Sequence, residues 1–307
     1  MGSMRNYLTE YRHELQRTFT GTSGTPPEWV PRLAEGNDAG YHLPGSAVWA
    51  VHGHVATIVA GIRVLLMQAL HPGALAGVYE HSGFQKDPLG RLANTVRWIF
   101  TVTYGSTEAA EAATARVRKI HERVRGTYVD GNGVTRGYAA NDPELLRWVH
   151  VTYADSFITA NRIWGRPTPG GPDAYVREWA AAGRLMGVVD PPLTEAQVRD
   201  ELEQWYASGI LRADERLAQT VSFIRYPPLS PLLKPGYTIL FAAAVASLEP
   251  KYREMLGIRR AGLGPVPLPV ITAARAVLGM VRFALGSHGP SELAARRRLQ
   301  RLGYAEA

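Results

Sequence analysis

The 307-residue sequence contains no cysteine. Without cysteine, the protein can form no disulfide, supply no thiolate ligand, hold no cysteine-ligated iron–sulfur cluster and use no cysteine nucleophile. Three other patterns are also absent: the G-x-S-x-G turn of serine hydrolases, the phosphate-binding P-loop and the G-x-G-x-x-G dinucleotide fingerprint. These absences exclude several large classes of enzyme and leave histidine as the residue most suited to a reactive centre.

Long apolar runs free of polar residues are also missing. The longest apolar segment, 47–70, contains His52, His54, Arg63 and Gln68, so it predicts a buried core helix rather than a membrane span. The N-terminal residues show neither a secretory apolar region nor a myristoylation motif, which favours a cytoplasmic location.

Strand patterns are scarce, whereas helical periodicity and helix-start signals recur along the chain. The sequence therefore predicts an all-α protein built as a single large helical domain. We expect an N-terminal helix and wrapping segment at 1–44, a helical core at 45–256, and a C-terminal helical extension packed on the core at 257–307. A turn or hairpin is expected at 130–133, where the sequence reads Asp-Gly-Asn-Gly.

One predicted helix combines a charged surface with a single inward imidazole. Val117, Ile120 and Val124 have the spacing of one helical face, and His121 falls on that face. We expect this helix to continue to Gly126. A buried histidine is commonly satisfied by a backbone carbonyl, but a neutral imidazole on a dry helix face can also be an axial metal ligand. The residues alone leave both interpretations open.

Two further sets of residues could line a site. Arg91 and Thr95 lie four apart on the helix that starts near Leu89, and together they could bind a carboxylate, either a cofactor propionate or an acidic side chain of the protein. A structural ion pair is the alternative for Arg91. His150 shares a helical face with Leu146, Tyr153 and Phe157, which makes it a second inward imidazole.

The formal net charge is +7, and the densest positive cluster comprises Arg296, Arg297, Arg298 and Arg301. Such a cluster is most often the solvated end of a helix. The alternative is a peripheral membrane contact through 270–302, where an apolar helix precedes the arginines. We expect no nucleic-acid partner.

The order and spacing of many short motifs resemble the catalytic domain shared by latex-clearing rubber oxygenases and MpaB-type oxygenases. The motifs that carry the resemblance span about 45–255, and their order is more specific than any single one. They are Ser46-Ala-Val-Trp49, Val51-His52-Gly53, Gln68-Ala-Leu-His-Pro72, Ala76-Gly-Val78, His81-Ser82, Asp87-Pro-Leu-Gly-Arg-Leu92 with Thr95, Tyr104-Gly105, Val117 through His121, Val124-Arg-Gly126, Tyr138-Ala-Ala, Asp142-Pro143, and Trp148-Val-His150 with Asp155-Ser156.

The resemblance implies an all-α, globin-like fold that holds haem b. In that family the Val-Arg-x-x-His motif supplies the axial histidine, which corresponds to His121 here. The Arg and Thr that line the haem pocket, as binding and catalytic groups, correspond to Arg91 and Thr95, and a supporting histidine corresponds to His150. Rubber oxygenases carry a lysine just before the threonine, where this chain has Asn94, so a lysine-capped iron is not expected.

Two functions follow as expectations. The first is a haem b-dependent oxygenase or oxidoreductase that acts on a small or apolar organic substrate with O₂ or a peroxide. The second is a non-catalytic haem-binding or helical interaction protein. No sequence feature identifies the substrate.

Overall fold

The computed structural model describes residues 2–22, 24–81, 83, 86–263 and 266–304, without the side chains of 2–5 and 263. Ser82, part of one motif above, lies outside the described residues. The helices are α1 Gly2–Thr20, α2 Trp29–Arg32, α3 Ala47–His52, α4 Thr57–Ala69, α5 Pro72–His81, α6 Pro88–Tyr104, α7 Thr107–His121, α8 Pro143–Trp164, α9 Gly171–Met186, α10 Glu195–Ala207, α11 Glu215–Arg225, α12 Lys234–Ser247, α13 Pro250–Met255, α14 Val270–Leu285 and α15 Pro290–Arg301; the strands are β1 Arg125–Val129, β2 Thr135–Ala139, β3 Gly262–Leu263 and β4 Val266–Pro267.

The described chain is mostly helical, which confirms the all-α prediction at the level of fold class. Local signals explain several helix starts. Asp87 accepts a hydrogen bond from Gly90 N at the start of α6, and Asp142 accepts one from Glu144 N at the start of α8. A proline follows each capping aspartate, where its missing N–H removes no helical hydrogen bond.

The predicted single helix over 47–70 was wrong, because two helices occupy that segment. Helix α3 ends at His52, and in the turn that follows the His54 imidazole Nδ1 accepts a hydrogen bond from Ala56 N at 3.1 Å. The Thr57 hydroxyl donates to the His54 carbonyl at 2.8 Å. Side-chain hydrogen bonds to the backbone compete with helical ones and stabilise this break.

The core lies where α4, α8, α9 and α12 meet. Helix α4 packs against both α8 and α12, and α8 also packs against α9 and α10. The largest buried side chains of this core include Trp148, Trp179 and Tyr175. Helix α6 lies beside it and packs against α1 and α7. The candidate site residues Arg91, Thr95 and His121 therefore lie on a pair of neighbouring helices at one side of the core.

The C-terminal arginines are only in part a solvated helix end: Arg297 and Arg301 are exposed and Arg296 is half-buried, but Arg298 is not solvated. The Arg298 side chain is fully buried and donates to the carbonyls of Leu33 at 2.7 Å and Ala39 at 3.3 Å. Arg301 donates to the Gly36 carbonyl at 2.6 Å. These hydrogen bonds attach α15 to the segment that follows α2. The sequence could not show this, because the acceptors are more than 250 positions away.

The expected hairpin at 130–133 is confirmed. Strands β1 and β2 pair antiparallel with Gly126 opposite Tyr138, and the hairpin packs on α5. Among the described residues, no single helix has both the length and the apolar character needed to cross a bilayer; only two bent helix pairs, 57–81 and 270–301, meet that test jointly.

Candidate functional site

His121 is the last residue of α7 rather than a mid-helix residue, so the expected continuation to Gly126 was wrong. The chain leaves the helix because Ala140 N donates to the Val124 carbonyl at 2.9 Å and β1 then pairs with β2. The predicted apolar face is also incomplete, since Ile120 is 60% exposed. His121 itself is half-buried, at the junction between α7 and the hairpin.

The His121 ring has one buried nitrogen and lies beside the Asn141 side chain and the Ala140 backbone. Its Nδ1 atom is buried and has no hydrogen-bond partner among the described residues. Burial lowers the pKa of His121; Asn141 and the Ala140 backbone raise it in part, and the charge of Arg91 lowers it again. The imidazole is therefore held neutral, which is the state that can coordinate a metal.

Arg91 lies on α6 and is half-buried. Within the described part of the chain its guanidinium forms no ion pair with a carboxylate. Burial alone lowers the pKa of Arg91, whereas the pKa of Arg147 is raised by its hydrogen bond to Glu201. A half-buried guanidinium without an anion is costly, because buried charges need compensation. The structure thus places an unpaired positive charge near His121.

Thr95 does not form the side-chain pair with Arg91 that the spacing suggested. Its hydroxyl donates to the Arg91 carbonyl at 3.2 Å, one turn earlier in the same helix, and the residue is exposed. The two side chains share one side of α6 without a direct contact between the hydroxyl and the guanidinium. The hydroxyl oxygen keeps acceptor capacity for a further partner.

His150 lies between α8 and α9. A Cβ atom at Gly183 would come within 2.9 Å of its ring, so the glycine is needed for this close approach. His150 Nε2 is buried with no partner among the described residues, and burial, then Arg147 and Arg184, lower its pKa to about 4. No hydrogen bond or ring contact of the described residues joins His150 to His121 or Arg91.

Asn141 is a residue of the site that sequence reasoning missed. Its side-chain nitrogen donates to the Arg118 carbonyl at 2.9 Å, which holds the amide beside the end of α7. Its Oδ1 atom is buried without a partner, as is His121 Nδ1. Its place directly before the Asp142-Pro143 helix start marks it only as a loop residue, so no sequence signal could have identified it.

Two other histidines near the core form hydrogen bonds within the protein. His52 Nδ1 is 2.7 Å from the Thr103 hydroxyl and Nε2 is 3.0 Å from the Tyr175 hydroxyl. Its ring packs edge-on against Trp179 at 4.7 Å. His71 Nδ1 accepts a hydrogen bond from Gly73 N at 3.1 Å, which closes the turn between α4 and α5. Both side chains have structural roles that hold them in place.

A further observation concerns metals. Within the described residues, no group of three or more His, Asp or Glu side chains is placed to hold a metal ion. A haem site needs no such group, since the macrocycle supplies most of the iron's ligands and the protein commonly supplies one histidine.

The comparison with known families shows which family the chain belongs to. The sequence model of the family described as "ER-bound oxygenase mpaB/B'/Rubber oxygenase, catalytic domain" matches residues 49–283, which is more than half of the chain. The chain belongs to this family. No curated protein and no solved structure matches it.

Membership in the MpaB/rubber oxygenase family confirms the resemblance drawn from the motifs and supports an oxygenase activity in general terms. The matched range includes Arg91, Thr95, His121 and His150. The roles of these four residues and the division at 44 and 256 stay predictions.

Proposed function

We propose that this protein is a haem b-dependent oxygenase that acts on a small or apolar organic substrate with O₂ or a peroxide. The observation that carries the proposal is the presence of His121 and Arg91 on neighbouring helices at one side of the core. His121 is a half-buried imidazole whose pKa is lowered by burial, and Arg91 is a half-buried guanidinium without a carboxylate partner among the described residues. The two side chains lie on the neighbouring helices α6 and α7, and the charge of Arg91 adds to the lowering of the His121 pKa.

The chemistry of these donors fits a haem with its carboxylates. A neutral imidazole is a common axial ligand of haem iron. A planar guanidinium binds a carboxylate such as a propionate through charge-assisted hydrogen bonds. In this proposal His121 would bind the iron, and Arg91 and Thr95 would bind the carboxylates at the edge of the haem. The globin-like core inferred from the family would surround these residues. When bound, haem would supply the activation of O₂ or peroxide that an oxygenase needs.

The chain's own residues would orient the imidazole. Asn141 would accept a hydrogen bond from His121 Nδ1–H, since the Asn141 side chain already raises the pKa of His121 and its Oδ1 has no other partner among the described residues. Nε2 would then be the ring nitrogen that binds the iron. A ligating histidine commonly donates its other ring N–H to such an acceptor, which fixes its tautomer and direction. His150 would stay neutral because its pKa is lowered to about 4. Its close approach to Gly183 would help to hold α8 against α9.

The opposite side of the iron would have no strong protein ligand. Asn94 stands where rubber oxygenases have a lysine, and no lysine lies between Lys86 and Lys119. A second histidine, such as His52 or His71, could also cap the iron, but both rings are held by the hydrogen bonds described above. We therefore propose a resting site that is open or carries only water.

The test is to express the protein with added haem, record the ferric spectrum, and then assay O₂ or peroxide consumption with a panel of apolar substrates. We expect a high-spin ferric spectrum and substrate-dependent consumption. A low-spin spectrum that becomes high-spin in His52→Ala or His71→Ala would contradict the open site. Haem binding without turnover on any substrate would support the non-catalytic alternative, which membership in a family of catalytic domains disfavours.

A further inference from the structure

Helix α14 has apolar side chains on its solvent side as well as on its core side. Ala274, Val277, Leu278, Val281 and Ala284 are buried against the body of the protein. On the opposite face Phe283 is 73% exposed and Met280 is 40% exposed, and Ala276 and Gly279 lie between them. A helix that is apolar on all sides is normally covered on all sides.

The exposed apolar surface continues into the segment that leads to α14. Val266, in the short β3–β4 hairpin, and Leu268, just after it, are both exposed, as is Ile271 in the first turn of the helix. We define the α14 surface as Val266, Leu268, Ile271, Met280 and Phe283. Several large apolar side chains exposed along one helix and the segment before it are typical of a contact with a protein or a membrane.

The charge of the segment that carries the α14 surface has a single sign. Between Met255 and Ser291 the sequence has four arginines and no Asp or Glu, although the whole chain has 27 acidic residues. The arginines are Arg259, Arg260, Arg275 and Arg282. Arg275 and Arg282 lie along one edge of the exposed face of α14, because they are seven residues apart on the helix.

The exposed face of α14 is fixed in its orientation by contacts on the other side of the helix. Helix α14 packs against α12 and α1, and the Arg12 guanidinium donates to the Ala284 carbonyl at 2.5 Å. Helix α15, which follows, is attached to the segment after α2 by Arg298 and Arg301. The α14 surface is therefore a fixed part of the folded protein rather than a detached amphipathic tail.

We propose that the α14 surface docks on an anionic phospholipid membrane. Phe283, Met280 and Val266 would enter the boundary between headgroups and acyl chains. Arg259 and Arg282 would bind the phosphate and carboxylate groups beside them, while Arg260 and Arg275, which also donate to backbone carbonyls of the protein, would add positive charge. A symmetric dimer through the same surface would bring like charges of two copies together, because a two-fold contact pairs a patch with itself. Charge complementarity thus favours the membrane over a second copy.

The experiment is co-sedimentation of the full chain with phosphatidylcholine vesicles, with and without phosphatidylserine. We expect binding that needs phosphatidylserine and weakens with salt. Phe283→Ser and Met280→Ser should each weaken it about tenfold, the factor for leaving a large apolar side chain out of the membrane. Arg259→Gln with Arg282→Gln should weaken it by about fivefold per arginine.

Val189→Ser is the matched control, because Val189 is 63% exposed but lies outside the α14 surface, and its binding should equal that of the wild type. Equal binding of all variants, no binding to phosphatidylserine vesicles, or a dimer that dissociates in Phe283→Ser without vesicle binding would overturn the proposal. The measurement involves no haem and no turnover, so its failure would leave the proposed oxygenase function unaffected.

Discussion

At the residue scale, the environment of Arg91 bears on the two interpretations that the sequence left open for it, a cofactor site and a structural ion pair. In the described part of the chain no carboxylate pairs with it, and burial is the cause that lowers its pKa. Arg63 provides the contrast, since it is buried and lies 2.7 Å from the Asp155 carboxylate. The same residue type thus has opposite electrostatic environments in one molecule.

That contrast gives a prediction for paired substitutions. Arg91→Met should leave the haem-free protein as stable as the wild type or more stable, because it removes an uncompensated charge. It should also weaken haem binding by roughly 1.5–3 kcal/mol, the usual magnitude for a charge-assisted hydrogen bond. Urea denaturation and haem titration measure the two effects.

Arg63→Met is the control for this pair and should destabilise the protein by about 3 kcal/mol or more, because it leaves Asp155 partly buried without its partner. An Arg91→Met protein as unstable as Arg63→Met would show that Arg91 is a structural residue. It would then have a partner that the proposal does not include.

At the element scale, the packing of α8 on α9 depends on a close approach at Gly183. A Cβ atom there would lie 2.9–3.2 Å from three atoms of the buried His150 ring. Gly61, in α4, is also helical but has no atom within 4 Å of its added Cβ. The two glycines therefore differ in what a methyl group would meet.

Alanine substitutions at the two positions should therefore change the stability of the protein in opposite directions. Gly61→Ala should stabilise the protein by about 0.5–1 kcal/mol, since alanine has the better helix propensity and meets nothing. Gly183→Ala should destabilise it by roughly 1–3 kcal/mol, because the His150 ring must shift in a packed core. Thermal denaturation of both variants tests this, and two stabilised proteins would contradict the close packing described.

The elements also show what the sequence could predict. Helices α6 and α8 were predictable, because their Asp-Pro starts act locally. The end of α7 at His121 was not, since residues 122–125 contain no stop signal before Gly126 and the strand pairing with 135–139 overrides the helix. For the site, pattern and resemblance predict Arg91, Thr95, His121 and His150, and their roles stay predictions. Asn141 was not predicted, because its position depends on tertiary contacts.

At the scale of the whole molecule, several buried histidines make stability depend on pH. Burial lowers the pKa of His42, His71 and His150 to about 4 each, from an ordinary value of 6.5. Between those two pH values the unfolded state binds more protons than the folded state. Their contribution to the free energy of unfolding is therefore complete above about pH 6.5 and is lost as the pH falls toward 4.

Each such histidine adds up to about 1.4 kcal/mol per pH unit within this window. His42 is the clearest case, since both its ring nitrogens are buried without partners in the described chain. We expect His42→Leu to reduce the slope of stability against pH by about one proton. Urea denaturation at several values between pH 4.5 and 7.5 measures the slope. A variant with the slope of the wild type would mean that His42 is not buried as a neutral group.

The central claim is that one imidazole, His121, holds a haem. The most direct measurement is the absorption spectrum of the protein purified with added haem, for the wild type, for His121→Ala, and for His81→Ala as a control histidine from the same region. His81 is exposed and bonds only to the Arg125 carbonyl in the described chain, at 3.1 Å. We expect a Soret band in the wild type and in His81→Ala, and loss of most of it in His121→Ala. Full haem content with an unchanged spectrum in His121→Ala would contradict the account.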